Sequence, residues 1–211
     1  LYEEVGPRCI ERLNGMFAFA LWDAGSRELL VGRDRFGKKP LYYAEVDGGL
    51  VFGSELKSLL EHPSCPRELD HESLAAYLAA EYVPTPRAIF EGVKKLPAAH
   101  VLVWADGHAR VERYWDLSFP RDDRSLSEDD YAEELRSQLR DAVRRRLVSD
   151  VPLGAFLSGG IDSSSVVAFM AEAVPAGAVK TFSIGFGEQS CDESEHARRV
   201  ARHFGTDHYE D

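Results

Sequence analysis

The sequence predicts a protein of two parts: an antiparallel α+β domain, then an α/β domain built on a parallel sheet. Two observations carry this expectation. Residues 13–116 read as a run of short strands divided by tight-turn signals such as Asp47-Gly48-Gly49 and Asp106-Gly107. Residues 127–211 instead alternate helical periodicity with short apolar strands, the pattern of βαβ units. Between them, residues 117–126 are charged, contain proline and read as a linker. The expected domains are therefore 1–116 and 127–211.

In the first part, residues 13–23 alternate Phe17, Phe19 and Leu21 with Ala18, Ala20 and Trp22. Both sets are apolar, which predicts a strand buried on both faces. A turn at 24–27 leads to a partner strand over 28–33, and a second turn around Gly37 leads to a hairpin of 41–46 with 50–53. Ser54 is placed to cap a short helix over 55–61, which Pro63 ends. Asp70 caps a helix over 71–81 with Leu74, Tyr77 and Leu78 on one face, and Pro84 and Pro86 prevent its continuation. Residues 89–97 are a turn-rich connector, and 100–105 with 109–115 form a closing hairpin. Tyr82, Trp104 and Trp115 are expected to pack rather than to bind.

In the second part, Ser127 caps a long helix, with Asp130 at the capping-box position. Tyr131, Leu135, Leu139, Ala142, Val143 and Leu147 form its apolar stripe, and Arg144, Arg145 and Arg146 suit its C-terminal dipole. Leu153, Phe156 and Leu157 predict a short buried strand, followed by a helix over 163–174 and a second parallel strand over 180–186. The last helix starts at Asp192-Glu193-Ser194, buries Ala197, Val200, Ala201 and Phe204, and stops at Gly205.

The chemistry is concentrated in the turn after the first of these strands. A Ser-Gly-Gly turn opening a helix aims backbone N–H groups and a positive dipole end at one point, which favours an anion, most simply phosphate. Gly159 and Gly160 are expected to take positive φ and to let a ligand approach the backbone. Ser158, Ser163 and Ser164 add hydroxyls, and Asp162 adds a carboxylate suited to a magnesium ion riding on phosphates. Three other loops are excluded by spacing. No lysine follows the glycines as a Walker loop requires. The Gly-x-Gly-x-x-Gly of a dinucleotide turn is absent. Phe156 stands where a nucleophile elbow needs glycine.

The text Ser-Gly-Gly-x-Asp-Ser at residues 158–163 resembles the pyrophosphate loop of the N-type ATP pyrophosphatases. With the preceding residues 150–154 it is similar to the synthetase domain of glutamine-hydrolysing asparagine synthetases. Residues 13–23, 32–43 and 52–59 resemble the later part of a class II glutamine amidotransferase domain, and residues 82–100 and 113–117 look like the segments that join the two domains in that family. The resemblance implies a partial Ntn-hydrolase-like α-β-β-α sandwich followed by a partial doubly wound ATP-pyrophosphatase domain. It implies ATP-dependent amidation of L-aspartate to L-asparagine, with ammonia from L-glutamine and a β-aspartyl-AMP intermediate.

ATP and magnesium are thus the implied cofactors. The implied ATP or pyrophosphate contacts are Leu157, Ser158, Gly159, Gly160, Ile161, Asp162, Ser163, Ser164 and Ile184. Leu157 and Ile184 would touch adenine, and Asp162 would also be the metal ligand. A β-lactam-synthetase-like enzyme and a non-catalytic nucleotide-sensing module remain open as alternatives. In the family the nucleophile is a cysteine whose own free amine is the base, so it must be the first residue. Cys9 has eight residues before it and is not expected to serve. The rest of both active sites is expected to lie outside this stretch, which alone is expected to be inactive.

Composition sets outer bounds. The 211 residues are 44% hydrophobic and 29% charged, which suits a soluble globular protein. A net charge of −11 argues against non-specific binding to nucleic acid or to an anionic membrane. Cys9, Cys65 and Cys191 form no Cys-x-x-Cys pair and read as free thiols of a reducing cytoplasm. These residues contain no charged-then-apolar leader pattern and no apolar run near about 18 residues, so a cytoplasmic location is expected. His196, His203 and His208, near Cys191, lack the compact ligand pair of a zinc site. The resemblance admits a homodimer.

Overall fold

The computed structural model describes residues 1–119, 125–175, 177–185 and 192–211. The chain divides into two units, Leu1–Pro120 and Arg121–Asp211. The centre of the expected linker, residues 120–124, lies outside the described residues.

The first unit opens with α1 (Tyr2–Val5) and a 3-10 helix (Gly6–Arg12). There follow β1 (Ala18–Asp23), β2 (Glu28–Arg33), β3 (Tyr42–Val46), β4 (Gly49–Gly53), α2 (Leu56–Leu60), α3 (His71–Ala80), β5 (Val93–Lys95), β6 (His100–Ala105) and β7 (His108–Arg113). The strands form two antiparallel sheets, ordered β1-β2-β6-β7 and β4-β3-β5. The turns of two hairpins are set by left-handed pairs, Asp47 and Gly48 at φ 49° and 73°, and Asp106 and Gly107 at 50° and 80°.

Alternation along the strands sends neighbouring side chains to opposite faces. Val31 and Leu102 pack with Leu41, Tyr43 and Leu96 between the sheets. Leu30 and Val101, one residue away on the same strands, pack with Cys9 and Ile10 of the N-terminal helical turn. On the far side of the second sheet, Ala44 and Val93 pack with Leu59 of α2. The layers run helix, sheet, sheet, helix, in keeping with the sandwich the resemblance implied.

Several local expectations change. β1 begins at Ala18 and is an edge strand, so Ala20 and Trp22 are exposed rather than buried. The N-cap of α2 is Glu55 rather than Ser54, with no side-chain cap bond. Asp70 does cap α3, accepting from the N–H groups of Glu72 and Ser73 at 3.0 and 3.1 Å. Yet the buried residue of α3 is Ser73, and Leu78 of the expected apolar face is 74% exposed. Tyr82 is also exposed, whereas Trp104 packs against the core as expected.

The second unit comprises α4 (Glu128–Arg145), β8 (Gly154–Phe156), α5 (Ile161–Ala173), β9 (Lys180–Ser183), α6 (Ser194–Phe204) and β10 (Asp207–Glu210). Ser127 and Asp130 form a reciprocal capping box on α4. The three strands are parallel, in the order β10-β9-β8. Leu157, Val167, Ala197 and Ala201 bring the end of β8, α5 and α6 together, and Val143, Met170 and Val179 add α4.

A doubly wound sheet carries helices on both faces; among the described residues this one carries them on one. Ala155, Thr181 and His208 share the covered face. Phe156, Phe182 and Tyr209 share the other, and Phe156, expected in a buried strand, is 81% exposed. The strand expected over 180–186 ends at Ser183, and Phe186 lies outside the described residues. No described helix is long and apolar enough to cross a membrane.

Candidate nucleotide site

The loop grows directly out of β8. The N–H of Leu157 donates to the Phe182 carbonyl at 2.8 Å, which extends the ladder one residue past the strand. The chain then turns at Gly159, with φ 84°. A Cβ there would lie 2.5 Å from the His196 carbonyl carbon and 2.7 Å from the Ala197 nitrogen, so only glycine lets the loop sit against α6. Gly160 is the N-cap of α5 at φ −68°. Positive φ is thus confined to Gly159, and the body that approaches Gly159 closely is α6 rather than a ligand.

The serines lock this turn. Ser158 N–H donates to Ser163 Oγ at 3.3 Å, the two hydroxyl oxygens are 3.1 Å apart, and Gly160 N–H donates to Ser158 Oγ at 3.2 Å. Ser163 Oγ donates to the Gly160 carbonyl at 3.3 Å, and Ser164 N–H closes the first helical turn on the same carbonyl at 3.0 Å. The N–H groups of Gly159, Ile161, Asp162 and Ser163 are left without an acceptor among the described residues. Orphan donors at the start of a 13-residue helix, aligned with its dipole, form a cradle for an anion.

Beside the loop lies a cavity of about 300 Å³, lined by Phe156, Leu157, Ser158, Ser163, Phe182, Ser183, Ile184, Glu193 and Ser194. It sits at the carboxyl ends of β8 and β9, where open parallel sheets bind ligands. Of the residues expected from the sequence, Leu157, Ser158, Ser163 and Ile184 line it. Leu157 is only 2% exposed and its side chain belongs to the core, while Ile184 is 60% exposed. Gly159, Gly160, Ile161, Asp162 and Ser164 form the loop itself. The exposed Ile161 offers its N–H rather than its side chain, and Ser164 Oγ is buried without a partner among the described residues. Sequence reasoning missed Phe156, Phe182, Ser183, Glu193 and Ser194. Their signal was their place, at the ends of the two strands and the start of α6.

Behind Ser183 runs a polar chain. His208 Nε2 lies 3.3 Å from Ser183 Oγ and 3.2 Å from Glu210 Oε1, and its Nδ1 lies 2.9 Å from Thr181 Oγ1. Thr181 Oγ1 is 2.8 Å from Thr206 Oγ1. Arg198 Nε donates to both Glu210 oxygens at 2.7 and 3.0 Å. That ion pair holds the Glu210 carboxyl below its ordinary range and the Arg198 guanidinium above its own. His208 is therefore engaged by hydroxyls and a carboxylate, His196 and His203 are exposed, and Cys191 lies outside the described residues.

The Asp162 carboxylate is exposed on the first turn of α5. Among the described residues no group of three or more His, Cys, Asp or Glu side chains could hold a metal. A single carboxylate beside unspent amides nevertheless fits the way magnesium is held, by one or two carboxylates with its shell completed by phosphate oxygens and water.

Comparison with known proteins bears on both units. A family model described as a glutamine amidotransferase domain matches residues 1–115. The chain belongs to that family. A second family model, described as asparagine synthase, matches residues 134–210, so the two domains occur in that order. Asparagine synthetase [glutamine-hydrolyzing] 3 of Bacillus subtilis is 35% identical over 99% of this chain and 36% of its own length. A putative asparagine synthetase [glutamine-hydrolyzing] 2 of Methanocaldococcus jannaschii is 35% identical over 99% of this chain and 41% of its own length. Amidase chyE of Penicillium rubens is 36% identical over 98% of this chain and 33% of its own length. The chain thus spans between 33% and 41% of these curated relatives. A solved structure of "the allosteric regulatory enzyme of purine biosynthesis" aligns with 100% of this chain and 50% of its own at 14% identity, with a TM-score of 0.32, a likeness too slight to speak for the fold.

Proposed function

We propose that this chain is the junction of a glutamine-dependent asparagine synthetase, where the glutaminase domain gives way to the ATP-pyrophosphatase domain. The reaction is amidation of L-aspartate to L-asparagine with ammonia from glutamine, through β-aspartyl-AMP, with release of AMP and diphosphate. The observation that carries the reading is the set of unspent N–H groups at Gly159, Ile161, Asp162 and Ser163 beside the cavity.

A carboxylate is a poor electrophile, and transfer of AMP to it supplies a leaving group. As a carboxylate oxygen bonds to the α phosphorus and the bond from that phosphorus to the α–β bridging oxygen breaks, charge grows on the departing pyrophosphate. Donors already aimed at that charge need no reorganisation, which makes them effective in the transition state. Asp162 would hold the magnesium ion against the same oxygens. Phe182 and Ile184 offer an apolar wall for adenine.

The test is aspartate-dependent exchange of labelled pyrophosphate into ATP by the enzyme that carries this chain. Asp162→Ala should lower the exchange at least about tenfold, within the range for loss of one electrostatic contact to the transition state; undiminished exchange would remove Asp162 from the mechanism. A second reading, the same scaffold with another acyl substrate, is favoured by the amidase relative. Formation of asparagine from aspartate separates the two.

A further inference from the structure

We propose that Ser183 is a nucleoside-contacting residue of the cavity and that His208 is its positioning residue, held in turn by Thr181 and by the Arg198–Glu210 pair. The proposal rests on the nucleotide reading above and adds a contact on the neutral part of the ligand. Ser183 is the last residue of β9 and lines the cavity beside Ile184. Its Oγ lies 3.3 Å from His208 Nε2, which also lies 3.2 Å from Glu210 Oε1.

The protonation pattern follows from these partners. An ionised carboxylate only accepts, so Nε2 carries a proton. That proton is shared by Glu210 Oε1 and Ser183 Oγ. Ser183 accepts at one lone pair, and its own O–H is left free to donate. The ring cannot turn to release it, because Nδ1 is engaged 2.9 Å away by Thr181 Oγ1, on a fully buried residue. The outcome is one spare hydroxyl donor on a residue of the wall that also carries Phe182 and Ile184. The loop amides suit the anionic tail of the ligand. A neutral donor beside Phe182 and Ile184 suits an uncharged acceptor, a ribose oxygen or a purine ring nitrogen.

Calorimetric titration of the enzyme that carries this chain with magnesium–ATP and with magnesium–pyrophosphate tests this, with thermal unfolding of each variant alongside. Ser183→Ala should weaken ATP roughly fivefold to tenfold, the size of one neutral hydrogen bond, and leave pyrophosphate within about twofold. His208→Leu should weaken ATP by a similar factor, but in the Ser183→Ala background it should add less than about twofold, since its effect passes through the hydroxyl. His208→Gln, whose amide N–H can stand where the Nε2–H stood, should bind within about threefold of the parent; it also carries the cycle if the leucine variant does not fold.

Independent, multiplying losses would overturn the positioning role of His208. Unchanged ATP affinity in Ser183→Ala, with the parent binding normally, would overturn the contact alone. A parent enzyme that binds neither ATP nor pyrophosphate would overturn both this role and the nucleotide reading beneath it.

Discussion

Two turns, one in each unit, contain the same chemical resource and spend it differently. In the first unit, the turn after β2 wraps around Asp34, which is 1% exposed. Its carboxylate accepts from the N–H groups of Phe17, Phe36, Lys38 and Lys39 at 3.3, 3.1, 3.0 and 3.0 Å. Burial alone would push that carboxyl up, but the four donors outweigh it and hold it below its ordinary value. Beside it, Arg33 spends its guanidinium on the carbonyls of Lys39, Leu96 and Gly37. In the second unit, the loop after β8 has a similar number of converging amides and, among the described residues, no internal anion to receive them. The first arrangement fixes a fold; the second leaves its donors unspent among the described residues. A converging set of N–H groups is thus informative only once the acceptors have been counted.

The sharpest way to break this contrast is Asp34→Ala. It strands several buried donors, each costing about 1–3 kcal/mol, so urea denaturation of the first unit should show a loss of at least about 3 kcal/mol. An unmoved midpoint would show that the carboxylate is not what holds the turn. The sign of its pH dependence is set by the lowered folded value. Its contribution is complete above the ordinary unfolded value near ~3.9 and is lost as pH falls through the lower folded value. Acid titration of Asp34→Asn should accordingly lack that part of the transition.

Saturating pyrophosphate should do for the second unit what Asp34 does for the first. At about a hundredfold excess over its dissociation constant it should add about 2.7 kcal/mol, seen by hydrogen exchange in α5 and not in β2. Gly159→Ala should come next. Its Cβ would meet α6 at 2.5 Å and its φ is 84°, so a stability loss of about 1–3 kcal/mol and at least tenfold weaker pyrophosphate binding are expected by unfolding and titration. Smallest is Ser164→Ala, which removes a buried hydroxyl that has no partner among the described residues. Stability should stay within about 1 kcal/mol of the parent, and a larger loss would reveal a hidden acceptor.

What could be read from the sequence was what depends on neighbours in the chain. The Asp-Gly hairpin turns, the Asp70 cap, the Ser127–Asp130 box and the order of loop and helix at 158–164 are local chemistry, and each occurs where the residues placed it. What depends on distant partners was not legible. β5 is three residues, two of them lysine, and becomes a strand only because β3 offers its edge. β10, Asp-His-Tyr-Glu, has no apolar alternation and forms against β9. The exposed faces of β1 and α3 show that apolar periodicity says which side chains share a face and not whether anything covers it. At the site, the loop announced itself through glycine and serine. Ser183 and Glu193 are ordinary residues that matter only through where β9 ends and α6 begins.

The seam between Gly159 and the opening turn of α6 has an evolutionary corollary. Ala197 is 0% exposed and its nitrogen would stand 2.7 Å from any Cβ at Gly159. A side chain at Gly159 would push the two backbones apart and shift the amides that follow it. The loop and this helix are therefore not free to drift separately: change in one must be answered in the other, although the loop alone carries the recognisable signature.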